Sequence, residues 1–250
     1  MSIKGTLQNY FSMGQLVASD KNLPSSEQYF LQTDSEENYD INQPSNYTKT
    51  SIKYKFNSYG FRTNEFIFPK TLPIILVLGC SFTLGIGLKE EDTWPTIFQQ
   101  TYFPEYTLYN LGLGGASADT VARLAINFIP ILKPDIVAVF WPNMCRYEIV
   151  ETSHIRFAGP WLDEELILKK LLNQTDLYNN QQKNKVILDL LQKIYQFELL
   201  QLDADDFNQT IYEGMKLNSD RARDNTHPGP FFHKHISNCF HDKYLKRNDQ

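Results

Sequence analysis

Apolar and polar residues sort along this chain into two periods. Ile74-Ile75-Leu76-Val77-Leu78 is apolar at every position, and so is Ile136 to Trp141. Unbroken runs of that length read as strands covered on both faces, the usual state in a parallel sheet. Between them Val121, Leu124, Ala125, Phe128 and Ile129 recur at i, i+3, i+4, i+7 and i+8, which predicts an amphipathic crossover helix that Pro130 and Pro134 terminate. A short helix from near Asp92 or Thr93 places Trp94, Ile97 and Phe98 on one face, while Thr107 to Leu111 and Phe197 to Leu202 read as further strands. Alternating strands and helices predict an α/β fold with a parallel sheet.

The flanks follow other patterns. Residues 1–50 are polar with no sustained period and read as an N-terminal arm or a set of loops, outside a domain spanning 51–250. Ile52, Tyr54 and Phe56 alternate with Lys53, Lys55 and Asn57, the period of a half-buried strand, and Asn57 to Arg62 reads as a turn. Across 162–197 apolar residues fall at helical spacing among Lys, Asn and Gln, predicting a helical insertion of two helices broken near Thr175 to Asn180 and packed against the sheet.

Composition narrows the function. With 24 Lys and Arg against 29 Asp and Glu, the formal charge of −5 argues against a nucleic-acid scaffold. The cluster Lys243 to Arg247 reads as a solvated helix end. Three widely spaced cysteines suggest neither a disulfide framework nor a zinc site and fit a reducing compartment. The first twenty residues lack the pattern of a secretory signal, and no run approaches a membrane span, so a soluble, cytoplasmic protein is expected.

The chemistry begins where the first buried strand ends, at Gly79-Cys80-Ser81-Phe82-Thr83. Ligands collect at the carboxyl ends of such strands, and Gly79 permits a tight turn. Downstream stand Asn110-Leu111-Gly112-Leu113-Gly114-Gly115-Ala116-Ser117, then Trp141-Pro142-Asn143-Met144, then Asp224-Asn225-Thr226-His227-Pro228-Gly229 near a predicted helix start. A serine hydroxyl needs an adjacent base to attack a carbonyl. His227 is the candidate base, with Asp224 three residues earlier able to orient one ring nitrogen.

These four segments, in this order from about Leu72 to Phe240, resemble the serine, glycine, asparagine and Asp-x-x-His blocks of the SGNH (GDSL-type) hydrolases. Cys80 stands where that family usually has Asp, and Met144 where Asp is common. The resemblance implies a three-layer α/β/α, flavodoxin-like sandwich and a serine esterase acting without metal or organic cofactor, with Ser81, His227 and Asp224 as catalytic residues. It also implies an oxyanion hole made by the backbone N–H of Ser81, the backbone N–H of Gly115 and the side-chain amide of Asn143, with Gly114 an alternative to Gly115. The implied partner is a small-molecule or glycan ester, most simply an O-acetylated carbohydrate. The alternatives are a thioesterase or lysophospholipase on longer acyl chains, or a glycan-binding or assembly module that has lost turnover.

Other residues invite a role. His233, His235 and His241 lack the carboxylate or cysteine partners and spacing of a zinc site and read as structural or surface histidines. Asp203, Asp205 and Asp206 lack the Gly and Glu of a calcium loop and read as a solvated turn. Arg62, Arg146 and Arg223 are candidates for gripping an anionic or sugar substrate, though nothing in the sequence places them.

Overall fold

A computed structural model describes residues 27–150, 155–162, 173–217 and 220–248. The strands are β1 (Ile74–Gly79), β2 (Thr107–Asn110), β3 (Ile136–Trp141), β4 (Tyr147–Val150), β5 (Ile155–Ala158) and β6 (Glu198–Asp203). The helices are α1 (Glu36–Asn42), α2 (Ser81–Leu84), α3 (Trp94–Tyr102), α4 (Ala118–Leu132), α5 (Gln174–Tyr195), α6 (Asn208–Leu217) and α7 (Pro230–Asn248). Four strands form a parallel sheet in the order β2-β1-β3-β6.

Both faces of that sheet are covered, which is why its central strands are apolar throughout. Successive side chains of a strand point to opposite faces. Ile74, Leu76 and Leu78 therefore join Val137, Val139 and Trp141 in one core, under Val121, Ala125 and Phe128 of α4 and Leu188 of α5. Ile75 and Val77 join Ile136, Ala138 and Phe140 in the other, under Trp94 and Phe98 of α3 and Phe232, Ile236 and Phe240 of α7. Each fully buried aliphatic side chain is worth about 1.5–3 kcal/mol in transfer terms. The result is an α/β/α sandwich with the flavodoxin-type start of strand order. Because β2 and β3 lie on opposite sides of β1, the order reverses at β1, and a crevice opens at its carboxyl end.

Several local expectations change. Helix α4 begins with a capping box between Ser117 and Thr120 and runs through Pro130 to an end at Lys133, whose φ is 48°; Pro130 does not stop it. The only lost donor lies near the helix end, and α4 stays packed on the sheet. Helix α5 is continuous across Thr175 to Asn180, started by the Asn173 side chain accepting from Asp176 N–H. The earlier part of the expected insertion, 163–172, lies outside the described residues. Ile52, Tyr54 and Phe56 point inward as their alternation implies, but among the described residues the backbone pairing of this segment is an isolated bridge between Gln28 and Tyr54 and not a strand. The antiparallel pair of β4 and β5 was not anticipated. Residues 27–50 pack onto the sheet domain rather than standing off it: Asp34, 1% exposed, forms an ion pair with Arg223, 0% exposed.

Candidate active site

Ser81 follows β1 after the single residue Cys80, at the switch point. Gly79 is required there by close approach: a Cβ on it would lie 2.7 Å from the Phe140 carbonyl oxygen and 2.1 Å from Thr83 Oγ1. The chain turns into α2, with Ser81 as its first residue, and α2 ends at Gly85, whose φ of 76° admits a residue without Cβ. Cys80 and Ser81 separate as neighbours at a strand end should, Cys80 into the core above α4 and Ser81 toward a pocket. Arg62 clamps the loop that follows, donating from Nη1 to the carbonyls of Leu84 and Gly85 (3.1 and 2.6 Å) and from Nη2 to Leu88 (2.9 Å). It is therefore a brace of the serine loop and not a substrate residue.

Asp224 and His227 sit on a turn before α7, not at a helix start as expected. The turn is shaped by the Asp224 carboxylate itself and by Asn225, whose φ is 58°. Asp224 Oδ1 accepts from the backbone N–H groups of Thr226 (3.1 Å) and His227 (3.0 Å), while Oδ2 lies 2.6 Å from His227 Nδ1. Nδ1–H donating to the carboxylate leaves Nε2 as the basic nitrogen. Burial raises the Asp224 carboxyl, but the hydrogen bond and charge of His227, aided by the Thr33 hydroxyl, outweigh it and leave the pKa below the ordinary carboxylate value. Asp224 is therefore an anion at neutral pH, poised to stabilise an imidazolium. The turn is docked onto the serine loop by Arg223 N–H donating to the Gly87 carbonyl (2.9 Å), an approach open because Gly87 has no Cβ to strike Ala222 at 2.7 Å.

Ser81 and His227 line one pocket of about 470 Å³ with Gly114, Gly115 and Arg146. Its remaining wall is Gln32, Thr33, Ile86, Phe157, Trp161 and Thr226. Phe82 sets its ring edge-on to the His227 imidazole, centroids 5.7 Å apart. Among the described residues neither the Ser81 nor the Gly115 backbone N–H donates a hydrogen bond, so both are available to an oxygen in the pocket. Gly114 and Gly115 are glycines for different reasons. A Cβ on Gly114 would lie 1.9 Å from Gln32 Oε1, whereas Gly115 has a φ of 78°.

Asn143 is placed otherwise. Its amide nitrogen donates to Asp205 Oδ1 (2.7 Å) and Asn208 Oδ1 (3.2 Å), and it is not among the pocket residues. Asp205 also accepts from the Met144 N–H (2.9 Å), so the expected solvated turn is in fact a cap on the end of β3. Arg223 is buried beside Asp34 and does not line the pocket; Arg146 alone of the three arginines reaches it, its guanidinium 5.4 Å from the Trp161 ring centroid. His233 Nδ1 accepts from Trp94 N–H at 3.0 Å, capping α3, and burial, with the charges of His227 and Arg62, pulls its pKa down to about 3. It is a neutral structural histidine. Among the described residues no group of three or more His, Cys, Asp or Glu could hold a metal ion, and no helix is long and apolar enough to cross a membrane.

Sequence reasoning missed Gln32, Thr33, Phe157 and Trp161. The first two lie in a segment with no period; Phe157 lies on β5, a strand of four residues, and Trp161 just beyond the Gly159-Pro160 turn that was the one local signal for this region.

No family model and no curated protein matches this chain. Solved structures to which it is similar include the lipase Lip_vut3 from a goat rumen metagenome, at 13% identity over 66% of this chain and 94% of that one, with a TM-score of 0.42. The psychrotrophic esterase EstA from Pseudoalteromonas sp. is similar at 14% identity over 71% of this chain and 99% of that one, TM-score 0.38. The acetyl xylan esterase AlAXEase is similar at 17% identity over 70% of this chain and 98% of that one, TM-score 0.33.

Proposed function

We propose that the protein is a serine esterase that hydrolyses a small acyl ester through an acyl-enzyme on Ser81. The observation that carries this reading is the contact of Asp224 Oδ2 with His227 Nδ1 at the rim of the one pocket that Ser81 also lines. His227 Nε2 takes the Ser81 hydroxyl proton as Oγ bonds to the ester carbonyl carbon, and the carbonyl oxygen becomes an anion. Collapse of that intermediate breaks the bond to the alkoxy oxygen, which receives the proton from His227. A water molecule then repeats the sequence, freeing the carboxylic acid and restoring Ser81.

The Ser81 and Gly115 N–H groups supply the oxyanion hole. Preorganised donors at that oxygen act where charge develops, and losing one costs about 3–4 kcal/mol. Asn143 enters the hole only by releasing Asp205 or Asn208, so Asn143→Ala is expected to slow hydrolysis of p-nitrophenyl acetate by less than about 10-fold, against about 10²–10³ for a direct donor. A loss in the larger range would place its amide on the oxyanion.

The pocket favours a short acyl group on a polar alcohol. Ile86 and Phe157 offer an apolar wall, while Gln32, Arg146 and the half-exposed Trp161 present donors and an aromatic face to the leaving group. An O-acetylated carbohydrate matches that combination. A long-chain thioesterase or lysophospholipase is the second enzymatic reading, and a module without turnover is the third. A fluorophosphonate probe is expected to label the wild type and not Ser81→Ala; an unlabelled wild type would establish the third reading. Acetate release from acetylated oligosaccharides, compared with hydrolysis of p-nitrophenyl palmitate, separates the first two.

A further inference from the structure

The Asp224 oxygen that faces His227 has a second donor from a distant part of the chain. Thr33 Oγ1 lies 2.7 Å from Asp224 Oδ2, the atom 2.6 Å from His227 Nδ1. A carboxylate oxygen accepts both. The torsion that turns a carboxylate about its own axis is broad, so the number and direction of donors decide where Oδ2 points.

Thr33 is held there by more than its own bond. It sits in a turn closed by two backbone hydrogen bonds between Leu31 and Asp34, 2.8 and 3.0 Å, with Gln32 at a φ of 51°. That conformation is disfavoured for a residue with a side chain and persists only where the surroundings impose it. The surroundings are visible. Asp34, the next residue, accepts from Arg223 Nε (2.8 Å), from Arg223 Nη2 (2.7 Å) and from the Tyr54 hydroxyl (2.6 Å). Arg223 is the residue before Asp224. Its Nη1 donates to the carbonyls of Thr48 and Lys49, and the guanidinium lies 4.6 Å from the Phe30 ring centroid. The Tyr54 hydroxyl also accepts from Gly87 N–H at 2.7 Å, in the loop that follows the serine. A buried bidentate pair therefore ties the neighbours of Thr33 and Asp224 to one another and to the serine loop.

On the esterase reading above, we propose that Thr33 is a positioning residue: its hydroxyl fixes the Asp224 carboxylate so that His227 presents Nε2 to Ser81. The turn around Thr33, in the polar segment 27–50, is then part of the catalytic apparatus. Its contribution falls on the chemical step, since the hydroxyl is spent on Asp224 and not on substrate.

The test compares wild type, Thr33→Val and Thr33→Ser in steady-state hydrolysis of p-nitrophenyl acetate, with urea midpoints measured in parallel. Valine keeps the shape and removes the donor; serine keeps the donor. Thr33→Val is expected to lose about 10- to 100-fold in kcat, the scale of a small misplacement, with KM within about twofold of wild type and Thr33→Ser within about threefold in kcat. Should valine unfold the protein, Thr33→Ala is judged against Thr33→Ser in the same way. Wild-type kcat in the donor-less variant, a change confined to KM, or failure of serine to rescue would each overturn the proposal. A wild type that neither turns over nor takes the fluorophosphonate overturns the esterase reading itself, and this inference with it.

Discussion

His227→Ala is expected to lower kcat for an activated ester by about 10⁴- to 10⁶-fold, the range seen when the base of a serine triad is removed. The size follows from the geometry. Ser81 is nearly buried, and among the described residues the pocket it lines holds no imidazole or carboxylate other than that of His227. His233 cannot substitute, because it is buried, neutral and occupied by Trp94 N–H. With the imidazole gone the hydroxyl proton has no acceptor, and only the pocket and the two backbone donors remain to assist. His227 is partly exposed at the pocket rim, so folding should be nearly unchanged, and urea unfolding alongside the rate measurement separates the effects. A loss below about 10-fold would remove His227 from the role of general base.

The second large effect concerns stability. Asp34→Ala leaves the Arg223 guanidinium, wholly buried, without its counter-charge. Removing one member of a buried ion pair costs about 3–5 kcal/mol, because the other is stranded in a low dielectric. For a domain whose whole margin is about 5–15 kcal/mol, that is a large fraction. The urea midpoint of Asp34→Ala should fall steeply, and replacing Arg223 by Met in the same chain should recover part of the loss, since no charge is then stranded. Equal midpoints for wild type and Asp34→Ala would show that Arg223 finds compensation elsewhere. Thr33 shares the turn with Asp34, so activity should fall in Asp34→Ala even under conditions where the variant remains folded.

Much of the scaffold was legible in the sequence. β1 and β3 were evident because a strand covered on both faces is apolar at every position, whichever residues later cover it. α4 was evident from its 3.6-residue period, and it stops just before Pro134 as expected; Pro130, read as a second terminator, lies inside its last turn instead. The alternation at Ile52, Tyr54 and Phe56 correctly marked the buried side and not the pairing, since period reports burial and a strand needs a partner. Asp224-x-x-His227 was found as a pair, but it is closed by an Asx-type turn with a positive φ at Asn225, not by helical spacing.

Asn143 marks a different limit. An amide at a buried strand end needs acceptors, and the sequence offered the oxyanion as the natural one; the structure supplies Asp205 and Asn208, more than sixty residues later. Thr33 lies 191 residues from the carboxylate it contacts, in a stretch whose composition suggests only a polar arm.

From its sequence alone this protein determines local periodicity, turn-forming residues and the order of the chemical groups along the chain, because those depend on neighbours a few bonds away. Which polar groups meet was decided only by tertiary structure, because a hydrogen bond acts over a few ångströms and carries no trace in the residues beside either partner. That is why a serine, a histidine and an aspartate were readable as candidates by type, while the turn that steadies Asp224 was not.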